Sequence, residues 1–329
     1  MGEVRPTIDD VARAAGVSRS TVSRVINDVP GASPPVRTRV RVAAAELGYH
    51  PSQAARTLAS GRPRTVDLVA VTYDTDTGWL GAHPYYSRVL AGLMPALEGG
   101  GAQLRVLALG AEAAAERIDA LADDATTGMI LANITPELAA RLYRRCPRIV
   151  SLVPTTAAIP ALEADNTGGA RTAVAHLHAL GRRRVAAVHG PGTNTCAIDR
   201  RTGYEDAVRR LGLPAIGAPG GFCREGGHAA AARLLADHPD IDAMFVACDL
   251  MAAGAVQAIT ATGRRVPDDV AIVGFDDSIA ATCANPPLTT MRLPVEQMAA
   301  EAARMLLDGT PARGYRRTYP VELVCRESA

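Results

Sequence analysis

The sequence predicts a small all-α helix-turn-helix head followed by an α/β body of two doubly wound parallel-sheet lobes. Two short amphipathic segments near the N-terminus are joined by a glycine turn, which is the spacing of a helix-turn-helix. Beyond residue 64, strand-like apolar runs alternate with alanine-rich helical segments, as in parallel sheets covered by helices on both faces. Charge divides the chain at the same place, with ten arginines and five acidic residues over residues 1–64 and a net charge of −4 over the rest.

The first predicted helix lies in "TIDDVARAAG", where Thr7 and Asp10 have the spacing of a capping box and Gly16 ends the helix. The second begins at Arg19, because the hydroxyl of Ser18 is a natural N-cap. Apolar residues gather on one side of each helix: Ile8, Val11, Ala12 and Ala15 on the first, and Val17, Val22, Val25 and Ile26 on the second. A third helix is predicted from Pro35 to Leu47, with Gly48 after it.

In a helix-turn-helix the second helix lies in the major groove of DNA. The net charge of +5 over residues 1–64 favours a module that meets phosphate, although spacing alone also fits an ordinary helical hairpin. The next segment, "PSQAARTLASGRPR", has a helix start and terminators but is too short to be stable alone in water. From its residues alone it is a plain linker.

Seven strand-like runs are predicted in the body, and they are too many for one compact sheet, so two similar lobes are expected. The runs begin near residues 65, 102, 127, 148, 183, 243 and 270. The clearest helical segments between them span residues 167–180, 224–237 and 250–262.

Composition limits the class of protein. There is no signal-peptide pattern and no apolar stretch of 18 residues, so a cytoplasmic protein without a membrane partner is expected. Six cysteines without C-x-x-C spacing predict reduced, mostly buried thiols, and no metal site or cofactor is predicted. The chain contains no lysine and no G-x-S-x-G or H-E-x-x-H segment, so an enzyme is not expected.

The segments "TIDDVARAAGVSRSTVSRVIND" and "VRTRVRVAAAELGYHPSQAARTLASGR" resemble the DNA-binding head of the lactose-repressor (LacI/GalR) family of bacterial transcription regulators. Further family-like segments begin at Asp165, Phe245 and Val266, so the resemblance covers nearly the whole chain. It implies a periplasmic-binding-protein-like core behind the head.

For DNA, the resemblance implies two sets of contacts. Base edges are assigned to Arg19, Ser20 and Arg24, and the DNA backbone to Thr7, Ser18, Thr21, Ser23 and Asn27. This division suits the chemistry, because arginine can bond guanine in a fork while hydroxyls and amides suit phosphate oxygens. The linker becomes a hinge helix that inserts Leu58 between base pairs in the minor groove, with Ala55 and Arg56 alongside.

The resemblance also sets the expected domains: a head over 1–50, a hinge over 51–64 and a core over 65–329. The first lobe is expected over 65–163 and 293–319, and the second over 164–291 and 320–329, with three crossings between them. A ligand is expected in the cleft at the strand ends.

Effector contacts are implied for Asp165 in "DN", Arg200 before "TGY", and Phe275 and Asp276 in "GFDD". Cys248 stands where the family usually has asparagine, which replaces a strong hydrogen-bonding partner by a weak thiol. The loop that carries Tyr73, Asp74, Trp79, His83 and Tyr85 is longer than usual. We expect it at the cleft mouth with Tyr73 and Trp79 on the ligand, and a plain surface loop is the alternative.

Together these features predict a ligand-responsive transcription regulator, most simply a repressor. It is expected to bind double-stranded, pseudopalindromic operator DNA as a homodimer and a sugar or sugar derivative in the cleft. The dimer surface is expected on the first-lobe helices, within "YSRVLAGLMPAL" and residues 111–122. The alternatives are a sugar-binding sensor or nucleoid-associated module without operator specificity, and an enzyme with a DNA-binding head.

Overall fold

The computed structural model describes residues 6–26, 30–47, 49, 64–72, 81 and 83–329. The chain divides between Arg64 and Thr65 into two compact units, here called the head and the body. No helix within the described ranges is long and apolar enough to cross a membrane.

The head contains the helices α1 (Ile8–Ala15), α2 (Arg19–Ile26) and α3 (Pro34–Glu46). The predicted capping box is confirmed: Asp10 N donates to Thr7 Oγ1, and Thr7 N donates to the Asp10 carboxylate at 2.9 Å. Gly16 ends α1 in the left-handed conformation, with φ +62°, and Ser18 Oγ accepts from Thr21 N at 3.2 Å at the start of α2. Short-range side-chain chemistry therefore fixes the turn between the two helices.

Apolar side chains of all three helices form the core of the head. Its buried members are Val11, Ala12, Ala15, Val22, Val25, Val40 and Ala43, and Ile8, Val17 and Ile26 pack against them. The predicted apolar faces of α1 and α2 are therefore confirmed. The third helix begins and ends one residue earlier than predicted, and Gly48 lies outside the described residues.

The first lobe of the body is a fully parallel six-stranded sheet covered by helices on both faces. Its strands are β1 (Thr65–Thr72), β2 (Gln103–Gly110), β3 (Gly128–Asn133), β4 (Ile149–Ser151), β5 (Ala161–Ala164) and β11 (Arg316–Tyr319), in the order β11-β5-β4-β3-β1-β2. Its helices are α4 (Pro84–Gly99), α5 (Ala111–Asp124), α6 (Pro136–Arg145) and α12 (Val295–Asp308).

The second lobe repeats this plan with one antiparallel edge strand. Its strands are β6 (Val185–His189), β7 (Ile216–Pro219), β8 (Ala243–Val246), β9 (Ala271–Asp276), β10 (Thr289–Arg292) and β12 (Glu322–Val324), in the order β12-β10-β9-β8-β6-β7. Its helices are α7 (Asn166–Ala179), α8 (Thr195–Leu211), α9 (Arg224–Asp237), α10 (Asp249–Ala261) and α11 (Ile279–Cys283).

One apolar cluster runs through both lobes, from α4 and α12 on the first sheet to α7 and α8 on the second. Two further clusters lie under α5 and α6 and under α9 and α10, on the opposite faces of the sheets. The hydroxyl of Tyr204 bonds the backbone of Val185 and Ile216, so this buried side chain of α8 joins β6 to β7. Each sheet is thus buried on both faces, and the doubly wound prediction is confirmed.

All seven predicted strands of the body are present, while β5, β7, β10 and β11 are additional. The apolar run "YPVELVC" over 319–325 predicts one C-terminal strand of the second lobe, but Tyr319 ends β11 in the first sheet and β12 lies in the second. Pro320 stands between them and lacks the amide hydrogen that a strand ladder needs.

Candidate functional site

A cleft that is open to solvent lies where the carboxyl ends of strands from both lobes meet. Doubly wound sheets place their ligand sites at this edge, since loops diverge there. The side chains on the wall come from both lobes. They are His83, Tyr85, Tyr86, Ala132, Asn133, Leu152, Val153, Ala164, Asn166, Asn194, Cys196, Arg200, Phe222, Cys248, Asp276, Leu293, Val295 and Met298.

Arg200, on the second turn of α8, is the central cation of the cleft, and its side chain is only 6% exposed. Its Nε donates to Asn166 Oδ1 at 2.8 Å, and its Nη1 donates to the carbonyl of Ala247 at 2.5 Å. The same Nη1 lies 3.2 Å from Asp276 Oδ1. The guanidinium carbon lies 4.0 Å from the centroid of the Phe275 ring, which supports it from behind.

Asp276, the last residue of β9, is buried beside Arg200 and has φ +113°, a conformation that side chains rarely adopt. Burial raises the pKa of its carboxyl above the ordinary value, while Arg200 opposes that rise. A carboxylate and a guanidinium held this way present an acceptor and donors to the same ligand, as neighbouring hydroxyls require.

The two thiols of the cleft are protonated groups rather than nucleophiles. Burial raises the pKa of Cys196 to about 11 and that of Cys248 well above its ordinary range. Cys248 Sγ accepts from Met251 N at 3.5 Å, so it caps α10. At position 248 the cleft wall is therefore a small, weakly polar thiol, where an asparagine would offer a strong hydrogen-bonding partner.

Contacts cross the cleft between the lobes, among them two between side chains of its wall. Asn194 Nδ2 donates to Asn133 Oδ1 at 3.0 Å, and the rings of His83 and Phe222 meet edge to face with centroids 6.4 Å apart. Burial, and the charge of Arg200, lower the pKa of His83 to about 4, so this ring is neutral at physiological pH. His83 also accepts from Tyr85 N at the start of α4.

The structure brings together some of the predicted effector residues and not others. Arg200, Cys248 and Asp276 line the cleft, and Phe275 lies directly behind Arg200. Asp165 does not line it, because its exposed carboxylate accepts from Gly168 N as the N-cap of α7. The neighbouring Asn166 faces the cleft in its place.

The described end of the long loop reaches the cleft through His83 and Tyr85, as expected. Tyr73, Asp74 and Trp79 lie outside the described residues. The sequence interpretation missed Asn133, Asn194 and Cys196. Asn133 is the last residue of the buried strand β3, and Asn194 is the N-cap of α8. For Asn133, the position at the end of a strand was the available signal.

In the head, the polar side chains assigned to base edges lie on the outer face of α2. Arg19, Ser20 and Arg24 are exposed, and the side chain of Arg19 is 71% accessible. Ser18 Oγ lies 2.8 Å from the hydroxyls of Ser20 and Thr21, while Thr7 is engaged in its capping box. Ser23 is half-buried; Asn27, Ala55, Arg56 and Leu58 lie outside the described residues.

Comparison with known sequences connects the head and the body to one family. Residues 7–52 match the family described as bacterial regulatory proteins, lacI family, and residues 174–329 match the periplasmic binding protein-like domain. The HTH-type transcriptional regulator CelR of Thermobifida fusca is 38% identical over 340 residues, covering 98% of each chain. The chain belongs to the LacI family. The resemblance read from the sequence is thereby confirmed.

Other relatives and solved structures agree with this assignment to the LacI family. The ribose operon repressor of Halalkalibacterium halodurans is 30% identical and aligns with 98% of this chain and 96% of its own. The structure of a transcriptional regulator CelR–cellobiose complex matches with a TM-score of 0.74 and 34% identity, over 99% of this chain and 100% of that one. A lac repressor dimer bound to operator and the anti-inducer ONPF matches with a TM-score of 0.72 and 28% identity, over 99% of each chain.

Like its LacI-family relatives, the chain is a transcription regulator and not an enzyme. The prediction for its cysteines was partly wrong. All six are free thiols, but only Cys146 and Cys248 are buried, while Cys283 and Cys325 are exposed. Cys283 is the last residue of the five-residue helix α11, and Cys325 follows directly after the three-residue strand β12. Within the described ranges, no cluster of histidine, cysteine and acidic side chains could hold a metal ion.

Proposed function

We propose that this LacI-family regulator is a repressor that binds a pseudopalindromic operator as a homodimer and responds to a sugar in the interlobe cleft. The observation that carries the proposal is the exposed polar face of α2, which belongs to a helix-turn-helix whose apolar side packs into the core of the head. Because the apolar face of α2 is packed inside, its polar face points outward and can contact the major groove of DNA.

For the operator, Arg19, Ser20 and Arg24 read base edges in this proposal. Thr7, Ser18, Thr21, Ser23 and Asn27 contact the DNA backbone. The hinge over 51–64 follows the helix-turn-helix domain of 1–50, and Ala55, Arg56 and Leu58 enter the minor groove. The lac repressor dimer structure, which is bound to operator, supports this assignment by its similarity over 99% of the chain.

For the effector, the cleft offers Arg200 and Asp276 as a charged pair, with Phe275, Cys248 and the aromatic side chains of α4 around them. Carboxylates accept from vicinal hydroxyls, and arginine donates to hydroxyl or ring oxygens. The similarity to a CelR–cellobiose complex favours a sugar. Tyr73 and Trp79 are proposed ligand contacts from the preceding loop, and Asp165 is a proposed contact only if its N-cap bond opens.

Control of DNA binding requires that the effector bind two states of the protein with unequal affinity. In the proposed mechanism the ligand selects one relative placement of the two lobes, 65–163 with 293–319 and 164–291 with 320–329. That placement sets the spacing of the two hinge segments in the dimer and so the population competent to bind the operator.

The DNA proposal is tested with the full chain against two duplexes of equal length, a palindrome selected by the protein from a random pool and its scrambled version. We expect a preference of about a thousandfold or more for the palindrome at physiological salt. Arg19→Ala is expected to reduce discrimination at one base position by about tenfold or more. Arg13→Ala, an exposed arginine of α1, is the matched control. Equal affinity for both duplexes at every salt concentration supports a non-specific DNA-binding module instead.

The sugar proposal is tested by thermal unfolding with cellobiose and a panel of other mono- and disaccharides. A bound sugar raises Tm by mass action. Arg200→Met is expected to remove the shift, whereas Arg201→Met removes the adjacent, exposed arginine that pairs with Glu205 and keeps it. If no sugar in the panel shifts the natural protein, the sugar part of the proposal is wrong.

A further inference from the structure

Arg88 connects a first-lobe helix to the strand end that faces the cleft. It lies on the second turn of α4, and its side chain is only 16% exposed. Its Nη1 donates to the carbonyl oxygen of Asp276, and its Nη2 donates to the carbonyl of Leu293 at 2.7 Å. Its Nε and Nη2 also bond the two carboxylate oxygens of Glu296 on α12, at 2.6 and 2.7 Å.

Asp276 is therefore held from two sides. Its carboxylate faces Arg200 in the second lobe at 3.2 Å, and its carbonyl oxygen accepts from Arg88 in the first. Both Asp276 and Asp277 have positive φ, at +113° and +54°. Residues in this region have a narrow range of allowed backbone angles, so the backbone at these two residues resists rotation.

We propose that Arg88 is a positioning residue that transmits a change at the Asp276 carboxylate to helix α4. The inference rests on the proposed function in one respect, that Asp276 meets the effector. When a ligand takes the carboxylate from Arg200, the peptide of Asp276 adjusts, and Arg88 moves with its carbonyl oxygen.

The attachment of Arg88 on the first-lobe side is rigid. α4 approaches α12 so closely that a Cβ at Gly92 would lie 2.3 Å from the carbonyl oxygen of Glu296. The bidentate bond from Arg88 to the Glu296 carboxylate joins the same two helices one turn earlier. A displacement of the Arg88 guanidinium therefore acts on α4 and α12 together. α4 also carries Met94, which is 58% exposed on the proposed dimer surface.

A second arginine contacts the segment Asp276–Asp277, here called the corner, and provides a comparison. Arg292 Nε donates to Asp277 Oδ2 at 2.6 Å, but Arg292 belongs to β10 and its other carboxylate neighbour, Glu322, belongs to β12. Both contacts stay within the second lobe. Loss of Arg292 disturbs the corner without cutting its connection to α4.

The test is a double-mutant cycle read by amide hydrogen exchange in α4, on the full-length chain without ligand or DNA. Asp276→Asn removes the charge that Arg200 attracts, which imitates capture of the carboxylate by a ligand. In the natural chain we expect it to change exchange of the α4 amides by about fivefold. In an Arg88→Met background we expect no further change, whereas Arg88→Lys restores part of it and Arg292→Met leaves it intact. If Asp276→Asn does not fold, Arg200→Lys replaces it as the perturbation.

The proposal is overturned if perturbing Asp276 leaves α4 unchanged in the natural chain, or if the change is equally large in the Arg88→Met background. It is also overturned if Arg292→Met abolishes the change, because any loosening of the corner would then have the same effect. Since the cycle uses neither sugar nor operator, its failure is separate from failure of the duplex and thermal-shift experiments.

Discussion

Asp249 is the most deeply buried carboxyl beside the cleft, and its surroundings favour the protonated form. Thr290 Oγ1 lies 2.6 Å from Asp249 Oδ1, and Ser278 N donates to Oδ2 at 2.7 Å. These bonds do not offset the loss of water, and burial together with the nearby charge of Asp276 raises the pKa of Asp249 to about 8. The charge of Asp276, which lies beside Arg200, therefore disfavours a second negative charge on Asp249.

This carboxyl predicts a pH dependence of stability. Between the ordinary carboxyl pKa and about 8, the folded chain holds a proton that the unfolded chain has released, so the free energy of unfolding falls as pH rises. Asp249→Asn keeps the shape and removes the titration. From pH 5 to pH 8, we expect the free energy of unfolding of the variant to rise by at least about 1 kcal/mol relative to that of the natural protein. The reason is that one unit of pKa shift is worth about 1.4 kcal/mol. Urea denaturation at both pH values measures the difference.

Asp240→Asn is the control for that experiment, because the Asp240 carboxylate is 61% exposed beside Arg184. Its stability difference from the natural protein should be the same at both pH values. A constant difference for Asp249→Asn as well would mean that Asp249 is ionised in the folded chain across this range.

At the scale of elements, the close approach of α4 and α12 determines how the first lobe is covered. Gly92 lets the two helix backbones meet, whereas Gly99, the last residue of the same helix, has open space around it. The two glycines of one helix thus have different roles, and only one of them serves packing.

Substitution at these two positions separates the roles. Gly92→Ala places a methyl group against the backbone of Glu296, and we expect a loss of about 1–3 kcal/mol in the free energy of unfolding. Gly99→Ala removes only backbone freedom from the unfolded chain and is expected to be neutral or to stabilise by up to about 1 kcal/mol. Denaturant titration of the two variants checks both values. Equal effects would show that the helices separate without cost.

At the scale of the whole molecule, the body is two copies of one plan joined by three chain crossings. The crossings lie after β5, after β10 and after β11. Because the cleft contacts come from both lobes, a change in lobe placement alters the Asn133–Asn194 bond and the pair of rings formed by His83 and Phe222. The shape of the proposed ligand site therefore depends on how the two lobes are placed.

The proposed dimer surface makes a prediction at this scale. Met94→Glu places a charge on the exposed face of α4, and we expect it to shift the protein from dimer to monomer and to weaken binding to a palindromic operator. Sedimentation velocity gives the oligomeric state, and a duplex titration gives the affinity.

Leu180→Glu is the control for the dimer prediction, since Leu180 is 50% exposed at the end of α7 in the second lobe. It is expected to leave both measurements unchanged. If Met94→Glu sediments as the natural protein does, the dimer surface lies elsewhere on the body.

The sequence predicted best those features that depend on residues close together in the chain. The caps at Thr7, Gly16 and Ser18 depend on neighbours within a few residues, and the structure has all three. The seven predicted strands lie in apolar runs that are visible in the sequence, and several of them, such as β3 and β9, are buried along their whole length. Short strands such as β7 and β12 have little periodicity, and their pairing depends on distant partners.

In the candidate site too, local motifs identified some residues, while contacts between distant residues were not predictable. Family-like motifs directed attention to Arg200 and Asp276, which lie together in the cleft, although 76 positions separate their numbers in the sequence. Nothing local identified the bond between Asn133 and Asn194, whose partners are 61 residues apart. Nor did the sequence place Arg88 against the carbonyl oxygen of Asp276, 188 residues away.

By itself, the sequence determined a capped helix-turn-helix with an outward polar face and a body of alternating strands and helices, because apolar periodicity and caps are local. Only the tertiary structure decided which side chain at the start of α7 faces the cleft. Asp165 turns its carboxylate to the free amide of Gly168, and Asn166 bonds Arg200. The reason is that a helix start satisfies its own backbone first, and the next residue then points where the packed lobes direct it.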